Sequence, residues 1–231
     1  KVLYPHEVKD IKIFPEKVLN FGLDRLEKLE KLYTLNPQLF KYLFGDYGYL
    51  ALAKYYFLKG DWEKAQYFAK KVKPNLPYKY FIEGVIEAYR GNPYPLESYY
   101  PSFRREYKVR ALFWLGWGYL LNNRWDLTTL YWEDFLKNSS AMPYLLWERL
   151  FAAFYLANHY EELGLTDKAL RYYSLCLKLL KGEKNFLGLK RYLVLKIVTL
   201  EGKKSVDFTK LGAVDNDWQK FLKYLLKEGG L

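Results

Sequence analysis

An all-α solenoid of antiparallel helical hairpins is the fold class this sequence predicts, on three observations. A small residue, an aromatic three places on, a turn and a second helical run recur in that order. They appear as Ala53, Tyr56, Gly60 with Asp61, Trp62 and Ala65; as Gly116, Tyr119, Asn122 with Asn123, Trp125 and Thr128; and as Ala157, Tyr160, Gly164, Ala169 and Tyr173. Gly84 follows Ala53, and Gly116 follows Gly84, at near-equal steps of roughly 30 residues, as tandem helical units require. The step from Gly116 to Ala157 is longer. Finally, no β signal of any length interrupts the helical pattern.

Residues 1–15 lack helical periodicity and read as an extended N-terminal arm ending at Pro15. Over 16–35, Leu19, Leu23, Leu26, Leu29 and Leu32 form a stripe at three- and four-residue steps, which predicts an amphipathic helix weakened at Gly22. Asn36 and Pro37 stop it, because the residue before a proline is pushed out of the helical region. Tyr49, Leu52, Ala53, Tyr56 and Phe57 then mark one face of a helix ending near Gly60. Asp61 is the expected N-cap of its partner, which carries Trp62, Ala65, Phe68, Ala69 and Val72. A weaker copy over 78–91 holds Phe81, Gly84, Val85, Ala88 and Tyr89, and Pro93, Pro95 and Pro101 cut its partner helix short.

An aromatic helix over 107–121 turns at Asn122 and Asn123 into another over 125–137. Helices over 143–163 and 166–181, separated by Gly164 and with Thr166 as the expected N-cap, make the last clear pair. Helices over 185–201 and 216–228 close the array, since the terminal repeats of a solenoid must meet water on one face. All of 16–231 then makes one domain. Its clearest repeats lie at about 45–74, 107–140 and 146–181, with a degenerate repeat at about 78–100.

The 231 residues are 51% hydrophobic and 20% aromatic, enough for a folded core and outside the range of disordered chains. Many of the rings are tyrosines, 24 in all, which pack an apolar face while keeping a hydroxyl wet. A net charge of +11, dispersed rather than massed in one block, favours acidic proteins, nucleic acid or anionic envelope surfaces as neighbours. Cys176 is the only cysteine, so no disulfide forms within the chain. No run of about 18 apolar residues marks a membrane span. Few Met, His and Cys residues beside abundant Lys, Glu and Tyr give a thermophile-like composition. The sequence opens at Lys1 without an initiating methionine, which tilts expectation towards a periplasmic or envelope location over a cytoplasmic one.

These hairpins resemble the tetratricopeptide repeat, a helical hairpin of about 34 residues. Leu52, Ala53, Tyr56, Gly60 and Ala65 carry the resemblance, as do Leu156, Ala157, Tyr160, Gly164, Ala169 and Tyr173. In the middle unit Leu115, Gly116, Tyr119 and Trp132 match while Thr128 replaces the usual alanine, and in the degenerate copy Glu83 stands where leucine belongs. The resemblance covers about 45–181. It implies a right-handed superhelix whose first helices line a concave groove for peptides or partner helices. Carried over by helical phase, the implied groove positions are Tyr47, Lys54, Phe81, Arg110, Phe113, Trp114, Trp117, Phe154 and Asn158.

Lys54 and Arg110 in such a groove suit an acidic peptide or a C-terminal carboxylate. Exposed tryptophan and arginine are the side chains that most often dominate an interface, although Trp114 and Trp117 serve equally as core between repeats. Tyr99, Arg104, Arg105 and Lys108 form a second, basic-aromatic patch in a proline-punctuated segment, where packing is expected ahead of partner or nucleic-acid contact. Catalytic chemistry finds no set of groups: His159 with Glu161 and Glu162 is no zinc triad, and His6 lies in the arm. Cys176 falls where the repeat buries a small residue, and Gly45, Asp46, Tyr47 and Gly48 lack the lysine and spacing of a phosphate loop.

The sequence therefore predicts a non-enzymatic protein–protein interaction scaffold, with no cofactor or metal implied and another protein as partner. Two alternatives stand beside it. One is the superhelical, non-catalytic part of a cell-envelope protein of the lytic transglycosylase kind, and the other a basic nucleic-acid-binding helical repeat protein.

Overall fold

The computed structural model describes residues 15–202, and every regular element among them is helical. The expected closing helix over 216–228, and the expected arm apart from Pro15, lie outside the described residues. The helices are α1 (Leu23–Leu35), α2 (Pro37–Leu58), α3 (Trp62–Lys70), α4 (Pro77–Tyr89) and α5 (Tyr94–Tyr99). They continue as α6 (Arg105–Leu121), α7 (Trp125–Asn138), α8 (Leu146–Glu162), α9 (Thr166–Leu179) and α10 (Leu187–Leu200). Short 3-10 turns precede α1 at Pro15–Asn20, follow α5 at Tyr100–Ser102 and precede α8 at Pro143–Leu145. The sequence predicts one domain over 16–231, but the helices group into two compact units that divide between Arg124 and Trp125.

In the first unit, α2 packs on α1 and α3, and α4 packs on α3 and α5. Direct contact also runs between α2 and α4 and between α4 and α6, so the first helices of successive hairpins touch one another. In the second unit, α8 lies against α7 and α9, and α9 packs on α10.

Local chemistry sets the boundaries. The stripe over 16–35 does not form one helix, because Gly22 takes an extended conformation (φ −71°, ψ 171°) that splits the 3-10 turn from α1. Asn36 then serves two helices. Its backbone N–H closes α1 onto the Leu32 carbonyl, and its side chain accepts from the Leu39 N–H at 3.0 Å to start α2. Pro37 occupies the first turn of α2, where its missing donor costs nothing. Gly45 breaks α2 internally at φ 55°, ψ −139°, a region open to glycine alone at low cost. Asp61 caps α3 through the Lys64 N–H at 3.1 Å, as the sequence predicts. Thr166 instead becomes the first residue of α9, and Leu165 precedes it without a side-chain cap.

One turn recurs at four helix ends. Asp61, Asn92, Arg124 and Leu165 donate their backbone N–H to the carbonyls of Tyr56, Glu87, Tyr119 and Tyr160. In each case the residue just before the donor has a positive φ: Gly60, Gly91, Asn123 and Gly164. This pair of features is the Schellman cap, which satisfies carbonyls that a helix end leaves open.

The aromatic that the sequence pattern places three residues after the small one then ties its helix to the helix before. The Tyr56 hydroxyl on α2 donates to Glu30 on α1 at 3.1 Å. Likewise Tyr119 on α6 donates to Glu97 on α5, and Tyr160 on α8 to Glu133 on α7. Burial first, then the bonded carboxylate, raises the pKa of all three phenols, so each stays a donor. The α4 copy reverses the chemistry: Glu87 stands at the tyrosine's place and accepts from Gln66 on α3.

Glycine permits the closest helix approach. A Cβ on Gly84 would fall 2.8 Å from Leu96 Cδ1 and 2.9 Å from Leu96 Cα, so α4 and α5 meet where no side chain fits. Gly84→Ala is expected to cost about 1–3 kcal/mol through overpacking. Circular-dichroism melts of the wild-type and Gly84→Ala proteins should show this cost as a lowered thermal midpoint.

Candidate functional site

The first unit holds a charge that its packing does not neutralise. Lys54, on the buried side of α2, is 9% exposed, and its Nζ donates to the Leu19 carbonyl of the 3-10 turn at 3.0 Å. Burial, and then the positive charge of Arg110 on α6, pull its pKa down to about 8. Arg110 is half-buried and its Nη2 donates to Glu106 Oε1 at 3.0 Å, one turn back on the exposed side of α6.

Aromatic contacts explain why α2 and α6 come together here. Phe57, one turn past Lys54, meets Trp114, one turn past Arg110, with centroids 6.1 Å apart. Tyr89 of α4 bridges them, 5.3 Å from Phe57 and 6.1 Å from Trp114. On the near side, Tyr78 of α4 packs 5.7 Å from both Phe81 and Tyr107, and Phe81 stacks on Tyr107 at 5.2 Å. Tyr78 is 6% exposed, and its hydroxyl is buried without a hydrogen-bond partner. Arg110 lies close enough to Tyr78 and Tyr107 to lower both phenol pKa values against the larger upward effect of burial.

The predicted groove positions separate on this framework. Phe81, Phe113 and Trp114 are buried and form walls between helices, not surface offered to a partner. Trp117 is half-buried, stacks on Tyr89 at 5.4 Å and gives its indole N–H to the Tyr89 carbonyl at 3.3 Å, so it fastens α6 to α4. Tyr47 is half-buried and close enough to Tyr107 to raise its pKa. Lys54 and Arg110 do converge. Tyr78 was not among the predicted positions, although it stands one turn before Phe81 on the same face of α4.

In the second unit, Phe154 lies between Tyr173 and Tyr192 at 6.4 and 6.1 Å. Asn158 Oδ1 accepts from the Tyr173 hydroxyl at 2.6 Å, which also donates to Glu161. Glu161 in turn pairs with Lys196 of α10 at 2.6 Å, so Phe154 and Asn158 belong to a network that joins α8, α9 and α10.

The basic-aromatic patch is mixed. Arg104 and Arg105 are exposed, Lys108 sits 5.8 Å over the Tyr100 ring, and Tyr99 packs 4.8 Å from Tyr80. Phe103 within the same segment is buried. Cys176 is fully buried, and burial pushes its thiol pKa far up, away from reactive thiolate. His159 stacks flat on Trp125 at 4.1 Å, and burial lowers its pKa against the opposing charge of Glu162. Among the described residues no three His, Cys, Asp or Glu side chains cluster to hold a metal, and no helix is long and apolar enough to cross a membrane.

Set against known proteins, the chain matches no family model, no curated protein and no solved structure.

Lys54 makes a signed prediction about stability. Its pKa is about 8 in the fold, against roughly 10.4 in an unfolded chain, so its charged form costs about 3 kcal/mol at neutral pH. Between those two values the unfolded chain binds more protons, and this residue's contribution to stability rises with pH. Lys54→Met should be more stable than wild type at pH 7, and that advantage should shrink as pH climbs from 8 to 10. Paired urea titrations of the two proteins at each pH isolate this effect from the tyrosines, which titrate in both.

Proposed function

We propose that the chain is a non-enzymatic interaction scaffold of tetratricopeptide-like hairpins, stacked with the right-handed superhelical sense of that family. The partner is an acidic segment or C-terminal carboxylate of another protein, received against the first helices of the first unit. The single observation that carries this reading is the buried Lys54 ammonium placed beside Arg110.

Two cations held together at a cost to stability are what a site for an acidic ligand requires, because an arriving anion removes the cost. The exposed Arg104 and Arg105 at the start of α6 add positive potential that steers such a segment inward. The recurring hairpins support the family assignment through the repeated Schellman turn and the direct packing of α2 on α4 and α4 on α6.

A fluorescein-labelled peptide rich in Asp and Glu should bind by anisotropy at low salt, and its Asn/Gln counterpart should not. Arg110→Ala should weaken binding by about 2 kcal/mol, in the range of an interface arginine. Equal binding of the acidic and amide peptides would remove the reading. A nucleic-acid role is favoured by the +11 charge alone, and it predicts that duplex or single-stranded DNA competes with the peptide, with a steep loss of affinity as salt rises.

A further inference from the structure

We propose that a cavity in the second unit binds a saccharide, taking a hexopyranose ring against its aromatic side chains. This goes beyond the acidic-segment reading and does not rest on it, since that reading concerns the first unit.

The cavity lies where the start of α8 meets the loop between α9 and α10, and its volume is about 390 Å³ less than a large ligand site would need: 340 Å³. That is the lower end of the ~300–1,000 Å³ range of small-molecule sites. A helix about 10 Å across could not enter it. Tyr144, Leu146 and Trp147 line it from the 3-10 turn and the first turn of α8, and Glu183, Asn185 and Phe186 line it from the loop.

The local sequence explains the assembly. Gly182, at φ 95°, turns the chain after α9. Phe186, four residues on, is buried and packs 5.3 Å from Trp147, which fastens the loop to α8. Trp147 stays half-buried and Tyr144 is 50% exposed, so part of the aromatic surface around the cavity is open to solvent.

The remaining lining chooses among ligands. A wholly apolar guest would strip water from Glu183 and Asn185 and give nothing back. Glu183 is the one charged residue of the lining, and its carboxylate opposes an anion. A cation is opposed in turn: Lys190 Nζ donates to the Glu183 backbone carbonyl, and Lys181 and Lys184 are exposed on either side of it. Glu148 and Arg149, next along α8, lie outside the lining. The ligand that fits is neutral, with an apolar face and polar edges. A pyranose has both. Its C–H face covers an aromatic ring, and its hydroxyls donate to a carboxylate, which only accepts, and exchange both kinds of bond with an amide.

The test titrates the full chain with maltotriose, cellotriose and chitotriose at millimolar concentration, followed by ligand-observed saturation-transfer NMR and calorimetry. Sorbitol, which has sugar hydroxyls but no ring face, and tetramethylammonium serve as comparisons. At least one trimer should bind, and neither comparison compound should match it. Tyr144→Ala, at an exposed position, should fold as wild type by circular dichroism and weaken that trimer about tenfold through loss of a ring contact. Glu183→Gln keeps the side chain's size and should weaken it by a similar factor through loss of a charged acceptor.

Binding of none of the three trimers would overturn the inference. Sorbitol binding as well as the best trimer would remove the role of the rings, and tighter binding of tetramethylammonium would make the cavity a cation site instead. A trimer whose affinity neither substitution changes would be bound elsewhere on the protein, which would equally refute this site.

Discussion

Helices α2, α4, α6 and α8 are each tied near the C-terminal end to the helix before, and the packing of the described residues builds on those ties. The Schellman turn finishes the helix, and the side chain at the same position reaches back: Tyr56 to Glu30, Tyr119 to Glu97, Tyr160 to Glu133. A phenol suits the task because its ring packs in the apolar layer while its hydroxyl meets a carboxylate at the edge. Such bonds are strengthened by a charged acceptor and a partly desolvated setting. With the helix ends so fixed, the inner faces of α2, α4 and α6 meet in register, and the aromatic contacts among Phe57, Tyr89 and Trp114 follow.

That register is also what makes the charged site expensive. Phe57 and Trp114 hold α2 and α6 close, and one turn earlier on both helices the side chains are Lys54 and Arg110. A core that wanted only stability would place apolar groups there. Lys54 beside Arg110 marks a region of the first unit where packing and electrostatics disagree. Disagreement of this kind is where function is sought in a fold otherwise consistent with its sequence.

The hairpins were legible in the sequence because their signals are local. Gly60, Asn123 and Gly164 announce turns that need a positive φ, and the apolar stripes of α1, α3 and α9 have a clear helical face. The break at Gly45 was not legible, since helix-compatible residues continue on both sides and no proline marks it. The candidate site was legible only in part. Along α6, Val109, Ala111 through Gly116, Gly118 and Tyr119 are all buried, so the helix is apolar around most of its circumference. Phase arithmetic on such a helix cannot separate a ligand-facing side from a helix-facing one. Phe113 and Trp114, which are buried, were assigned to the groove by the same phase argument that placed Lys54 and Arg110 there.

Similar hairpins in one chain carry a hazard, because one that docks out of order meets a surface like its own. The reversed pair at α4 works against this. Were α4 to settle on α1 in place of α2, Glu87 would confront Glu30, two carboxylates where the native contact has a phenol and an acid. Were α2 to take the place of α4 beside Gln66, Tyr56 would meet that neutral amide and forfeit its charged acceptor. The single exchange of Tyr for Glu thus gives the hairpins of the first unit an address, and the choice of neighbour is written in hydrogen-bond polarity as well as in chain connectivity.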